Sequence, residues 1–231
     1  KGVCAPKKTK QYDHTCYDSL SLKKIKENWN KRNPDDKIET DDPIEIWKEL
    51  KTKLQDVCDT EACWLKQESV SAGLDRDILN YTFSPQKPTS WKKNPNTWLD
   101  SNDIKKVMRQ YENSHDYFKF IGPSPIDYDS NDYYNSSSVC VWPELCQFSL
   151  LNHIKQNTKF IGFIFNLDKH TQGGSHWCAM VLDLRKKHLY YFDSYGKPIH
   201  KNMNIFGNTI VTHGKKCNYD IDFIKLKKEH Q

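Results

Sequence analysis

Two side chains able to move protons frame a short apolar hairpin. His176 opens the run Trp177-Cys178-Ala179-Met180-Val181-Leu182, and Asp193 closes Leu189-Tyr190-Tyr191-Phe192. Arg185-Lys186-Lys187 lies between them as a basic turn. Runs this short and apolar read as β-strands inside a sheet covered on both faces. If the turn pairs Asp183 with His188, Cys178 stands opposite Asp193. Period-two alternation then puts His176, Cys178 and Asp193 on one face. His176 and Asp193 become diagonal neighbours, about 7–8 Å apart at the backbone and within side-chain reach. A carboxylate that close orients an imidazole, which is the base–orienter half of a nucleophile–base–orienter triad. An odd turn would place the two on opposite faces. The plain alternative is a pair of solvated strand-end residues. Gly173-Gly174 just before the histidine supplies a backbone able to bend sharply or admit a ligand.

The elements that must position this pair are drawn from 231 residues, enough for one large domain or a core with a smaller companion. An aromatic content of 13% argues for packed cores and against disorder. The net charge is +5, but arginine occurs only at Arg32, Arg76, Arg109 and Arg185. A dedicated phosphate reader favours arginine forks, so the lysine surplus reads as a solvated surface with weak attraction for polyanions. No phosphate-binding glycine loop, internal repeat, signal peptide or apolar run of transmembrane length is present, and the eight cysteines read as free thiols of a reducing setting. Cys58-x4-Cys63 and Cys140-x5-Cys146 do not match a Cys-x-x-Cys zinc knuckle. No metal and no cofactor is called for.

Along the chain, residues 1–15 read as a polar arm. Leu20, Leu22, Ile25 and Trp29 recur at helical spacing, and a second helix starts at Asp42-Pro43 with Ile46, Trp47, Leu50 and Leu54 on its face. A helical arm therefore spans 1–71, a Pro- and Ser-rich linker 72–96, and a core 97–231. In the core, a helix capped by Thr97 or Ser101 runs to about Tyr111 with Ile104, Val107, Met108 and Tyr111 on its face. Residues 115–138 read as a long surface loop, 145–154 as a helix, 159–167 as a buried strand and 219–226 as a further strand. Residues 202–206 are compatible with a short helix.

A Cys–His enzyme needs a thiolate beside its imidazole, commonly at a helix N-terminus. Cys178 shares the strand of His176 and has no helix N-terminus beside it, so it reads as a packing residue. Cys217 has basic neighbours but precedes the last strand. The remaining cysteines precede the histidine.

Gly174-Ser175-His176-Trp177, an apolar strand and then Tyr190-Tyr191-Phe192-Asp193-Ser194 resemble the Ulp/SENP and adenain-like cysteine proteases. The arm resembles the giant-virus members more narrowly, the African swine fever virus polyprotein protease among them. Cys16, Leu22-Lys23-Lys24-Ile25 and Cys58-x-x-Glu61-x-Cys63 carry that likeness.

The resemblance implies an α+β fold, a papain-like or adenain-like core with a central mixed β-sheet flanked by helices and an N-terminal helical arm. It implies a thiol endopeptidase cutting peptide or isopeptide bonds after Gly-Gly-type sequences, in a viral polyprotein or a ubiquitin-like conjugate, inside a host cell or virion. His176 would be the base, Asp193 its orienter and Gln231 the oxyanion donor. Trp98 and Trp177 would close over the Gly-Gly tail. In that family the nucleophile follows the last strand in a Cys-Gly pair, so it is expected just beyond Gln231, and the chain as written is expected to be inactive. The alternatives are a non-catalytic module holding a Gly-Gly tail or viral partner, and nucleic-acid binding through the lysines.

Overall fold

The computed structural model describes residues 3–6, 11–131 and 140–226. The chain divides into two compact units, Lys1–His115 and Asp116–Gln231. No helix among the described residues is long and apolar enough to cross a membrane.

The first unit is helical. Asp18 caps α1 (Ser19–Arg32) by accepting from the Ser21 amide at 2.7 Å. Asp42 caps α2 (Pro43–Lys53), and Pro43 fills the first turn, where its missing N–H costs nothing. Leu22, Ile25, Trp29, Ile46, Leu50 and Leu54 form the core as their spacing predicts, while Leu20 points to solvent, 63% exposed. Short helices α3 (Glu61–Trp64), α4 (Glu68–Ser71) and α5 (Arg76–Tyr81) follow. Tyr17 stacks on Trp64 at 5.7 Å beneath them. Leu74, Ile78 and Phe83 join this core, so the segment expected to be a linker is partly structural.

Helix α6 (Ser101–Ser114) begins one residue after Asp100, which with Asp103 forms a capping box. The expected caps, Thr97 and Ser101, are displaced because a carboxylate at this position satisfies the N3 amide and receives the reciprocal bond. The expected helix face also differs: Val107 and Tyr111 are exposed, and Gln110 and Ser114 are the buried residues. The Gln110 amide donates to the Asn80 and Phe83 carbonyls, which ties α6 to the first unit rather than to the segment the sequence reading placed it in.

The second unit is a five-stranded mixed sheet in the order β1–β2–β3–β4–β5, built from β1 (Phe118–Pro125), β2 (Phe160–Asn166), β3 (Trp177–Asp183), β4 (His188–Asp193) and β5 (Asp222–Lys225). The outer pairs are parallel and the central ones antiparallel. β1 lies inside the stretch read as a loop. Its Gly122, Pro123 and Pro125 masked it, and they are tolerated because this is an edge strand with an irregularity between Ile121 and Ser124. The stretch read as one helix over 145–154 splits into α7 (Pro143–Cys146) and α8 (Leu150–Lys155), the second capped by Ser149.

Helix α9 (Lys201–Lys216) makes the crossover between parallel strands β4 and β5, which explains why a helix far longer than the expected short one is required. Met203, Phe206 and Ile210 pack with Ile161, Phe163, Met180, Leu182 and Leu189. The Phe206 ring meets Phe163 and Phe165 edge-on at 5.2 and 5.8 Å. The hairpin is not covered on both faces. Val181 and Phe192, on the side away from this core, are 40% and 42% exposed. The strands therefore follow the antiparallel one-face pattern, with apolar residues on the second face.

The expectation of free thiols is overturned for six cysteines. Cys4–Cys16, Cys58–Cys63 and Cys140–Cys146 are disulfides with Cα separations of 5.3, 5.4 and 6.7 Å, within the span a disulfide bridges without backbone movement. Cys178 is free and buried, and Cys217 is free and exposed.

Candidate active site

The hairpin has the even register. Asp183 pairs with His188 and Cys178 with Asp193. The Asp183 carboxylate sets the turn by accepting from the Arg185 and Lys186 amides at 3.0 and 3.2 Å, and Lys187 takes a left-handed conformation to close it. His176 sits just before regular pairing starts. Its carbonyl accepts from Leu167 N at 3.0 Å, so the residue is tethered but its side chain is free of strict alternation.

The imidazole Nε2 of His176 lies 3.1 Å from Asp193 Oδ2. The Cys178 thiol donates to the same oxygen at 3.1 Å, and Tyr191 Oη donates to it at 3.4 Å. The other carboxylate oxygen accepts the Tyr195 amide at 2.6 Å. Tyr195 also stacks its ring on His176, with centroids 4.6 Å apart and planes 11° apart. The Asp193 side chain is nearly fully buried, whereas 12% of the His176 side chain remains exposed. Asp193 is thus fixed at both oxygens, and its bond to Nε2 leaves Nδ1 as the basic nitrogen of the neutral ring.

The loop that delivers His176 is held by polar clamps. Asn166 Oδ1 accepts from the Asp168 and Ser175 amides at 2.9 and 3.3 Å, and Ser175 Oγ donates to Asp168 at 2.8 Å. Asp127 receives the His170 amide at 2.9 Å and contacts its ring Nδ1 at 2.8 Å. Gly174 has φ +87°, and a Cβ there would meet Asn166 Nδ2 at 2.6 Å. Both the conformation and the close approach require glycine.

Electrostatics follow from these contacts. Burial alone would push the Asp193 carboxyl up, but the bonds from Cys178, the Tyr195 amide and His176 outweigh it and hold the group below the usual carboxylate range. Burial and the hydrogen bond to Asp193 push the Cys178 thiol up to about 12. Tyr191 is raised well above the phenol range, first by burial and then by Cys178 and Asp193. At neutral pH Asp193 is therefore a carboxylate that accepts from a protonated thiol and a protonated phenol.

The structure brings His176, Asp193 and Cys178 together. Trp177 is half-buried at the first position of β3, on the face opposite Cys178, and Trp98, 56% exposed, stands just ahead of α6 in the first unit. Gln231 lies outside the described residues. Cys217 follows α9 and precedes β5, whose Asp222 pairs with His188 at the far end of β4 from Asp193. At about 3.3 Å per strand residue, that end is roughly 17 Å away. The sequence reading missed Tyr191, Tyr195 and Asn166. The two tyrosines read as apolar strand and turn residues, and a lone asparagine at a strand end carries no signal of a clamp.

The α+β fold around this site is that of the ASFV pS273R protease, and in sequence the chain is similar to a viral protein named as a thiol protease. It is 29% identical over 215 residues to "Putative thiol protease R355" of Acanthamoeba polyphaga mimivirus, covering 85% of this chain and 67% of that one. The ASFV pS273R protease superposes with a TM-score of 0.65 at 17% identity, over 97% of this chain and 76% of its own. Its selenomethionyl crystal structure gives 0.58 at 16% identity over the same shares. No family model matches the sequence.

Proposed function

We propose that the chain carries the base and its orienter of a thiol protease. The observation that supports this reading is the His176 Nε2–Asp193 Oδ2 contact of 3.1 Å at the entry of β3, with the carboxylate locked by three further donors. Asp193 fixes the tautomer with hydrogen on Nε2. Nδ1 then takes the proton of a thiol and returns it to the leaving amine.

Nothing among the eight cysteines suits the nucleophile. Six are bridged, Cys178 donates to a carboxylate instead of facing Nδ1, and Cys217 is at the wrong end of the sheet. The nucleophile is therefore proposed to come from outside this sequence, following Gln231 as the family resemblance implies, with the Gln231 amide stabilising the oxyanion. Such a donor is worth about 3–4 kcal/mol. The chain by itself is then inactive. Trp177, next to the proposed base, is proposed to contact the substrate at the cut, where a Gly-Gly tail leaves room for its ring. A viral polyprotein is the favoured substrate, given the mimivirus and ASFV relatives. Polyanion binding is a secondary property of the +5 charge, to be read from its salt dependence.

The test is a Gly-Gly peptide bearing a thiol-reactive electrophile. It is applied to this chain and to the chain with its natural C-terminal continuation. Covalent labelling only in the longer protein, lost in His176→Ala, is expected. Labelling of this chain at Cys178 or Cys217 at a comparable rate would overturn the assignment.

A further inference from the structure

Among the described residues, one group of three His, Cys, Asp or Glu side chains brings its donor atoms together: His176, Cys178 and Asp193, all within 4.8 Å of one another. We propose that these three side chains form a binding site for a thiophilic divalent cation, Zn²⁺, and that its occupancy withdraws His176 from acid–base work. The site itself stands on geometry; only its consequence for catalysis rests on the thiol-protease reading.

The donor set is one nitrogen, one sulfur and one carboxylate oxygen, the mixture that selects zinc over calcium or magnesium, which take shells of oxygen. Zinc bonds of about 2.0–2.3 Å put tetrahedral ligand atoms roughly 3.3–3.8 Å apart. Here Nε2 and Sγ each lie 3.1 Å from Asp193 Oδ2, so these two edges open by a few tenths of an ångström, while the third edge, between the imidazole and Sγ and no longer than 4.8 Å, closes by up to about 1 Å through side-chain rotation as the ion is bound. The strands hold the ligands in place. Cys178 and Asp193 are direct cross-strand partners, and His176 is two residues from Cys178. Tyr191 Oη, 3.4 Å from Asp193 and 3.9 Å from Cys178, borders the remaining coordination position, which water or this phenol fills.

The proton and charge balance is simple. Zn²⁺ enters, the thiol releases one proton to solvent, and the imidazole moves its proton from Nε2 to Nδ1 so that Nε2 binds the metal. The carboxylate is already ionised. A thiolate and a carboxylate then neutralise the divalent charge, so the loaded site is neutral and its burial carries no net-charge penalty. With Nε2 on the metal, Nδ1 is protonated and the ring is no longer a base, so the site would silence peptide cleavage while filled.

The test is a cobalt(II) titration of the disulfide-bonded chain carrying Cys217→Ser, which leaves Cys178 as its free thiol. One Co²⁺ per chain with a near-ultraviolet thiolate-to-cobalt charge-transfer band is expected, and Zn²⁺ should displace it. Cys178→Ser retains a donor to Asp193 and is expected to keep the thermal melt while abolishing the band and weakening binding at least tenfold. Absence of a thiolate band, or a band that survives Cys178→Ser, would overturn the site. No step of the experiment involves peptide cleavage, so failure of the protease reading leaves its outcome unchanged.

Discussion

Alkylation of the two free thiols separates a packed cysteine from a reactive one. An ordinary thiol near 9.0 is about one-tenth thiolate at pH 8, whereas Cys178, pushed up to about 12, is about one part in ten thousand. That is roughly a thousandfold less thiolate. A more basic thiolate is also more nucleophilic, with a Brønsted slope of about 0.4–0.5, which restores roughly 16- to 32-fold over three pH units. Chemistry alone therefore slows Cys178 by about 30- to 60-fold, and its 2% exposure slows it further. Iodoacetamide labelling of the native chain at pH 8, read by peptide mass spectrometry, should modify exposed Cys217 at least about 30-fold faster than Cys178. In denaturant with the disulfides intact the two rates should converge. Native rates within threefold of one another would refute the reasoning, because Cys178 would then be an accessible thiolate beside His176 and a contender for the nucleophile.

Asp193→Ala leaves the donors of Cys178, His176 and Tyr191 without their acceptor in a buried site, and should cost about 3 kcal/mol in urea unfolding. The folded-state Asp193 carboxyl is depressed, so its contribution is fully present above the ordinary carboxylate value of 3.8 and is lost as pH falls through the lower folded value. A wild-type acid stability profile should therefore be steeper than that of Asp193→Asn below pH 3.8, and identical slopes would contradict the network. Gly174→Ala should destabilise by more than about 1 kcal/mol, because the left-handed backbone and the approach of Asn166 both exclude a Cβ. Chemical denaturation of that variant checks it.

The site was legible where its geometry is periodic. Cys178 opposite Asp193 follows from strand alternation and one assumption about turn length, and Asp183 accepting the Arg185 and Lys186 amides is what makes that length hold. It was illegible where position depends on contacts distant in sequence. Tyr191 reads as one more apolar strand residue until its hydroxyl is seen donating to Asp193 and to the Lys197 carbonyl at 3.3 Å. β1 was hidden because prolines and a glycine erase strand signals, although an edge strand with an irregular register accepts them. α9 was underestimated because Asn202, Asn204, Gly207 and Asn208 dilute its helical pattern. Gly207 is there for packing: a Cβ would sit 2.3 Å from the Phe223 ring on β5. The cysteines misled because spacing alone does not report which pairs the fold brings within bridging distance, as Cys4 and Cys16 show.

The arrangement around His176 also fixes the direction from which a thiol must come. Tyr195 covers one face of the ring in parallel contact, and Nε2 is held in the ring plane by Asp193. Partial rotation of the ring out of its plane would break the stack, and a half-turn flip about Cβ–Cγ, which puts Cε1 where Nε2 stands, would lose the carboxylate. What is left is an in-plane approach to Nδ1 on the side away from Asp193. Cys178, bonded to that same carboxylate oxygen, lies on the occupied side, so it is excluded by direction as well as by its raised pKa. A nucleophile that completes this site must carry its sulfur to the Nδ1 side, and a helix N-terminus arriving there would lower the thiol pKa as Asp193 raises that of Cys178. On the proposed protease reading, the carboxylate that holds Cys178 protonated as its donor would also orient the base for an incoming thiol.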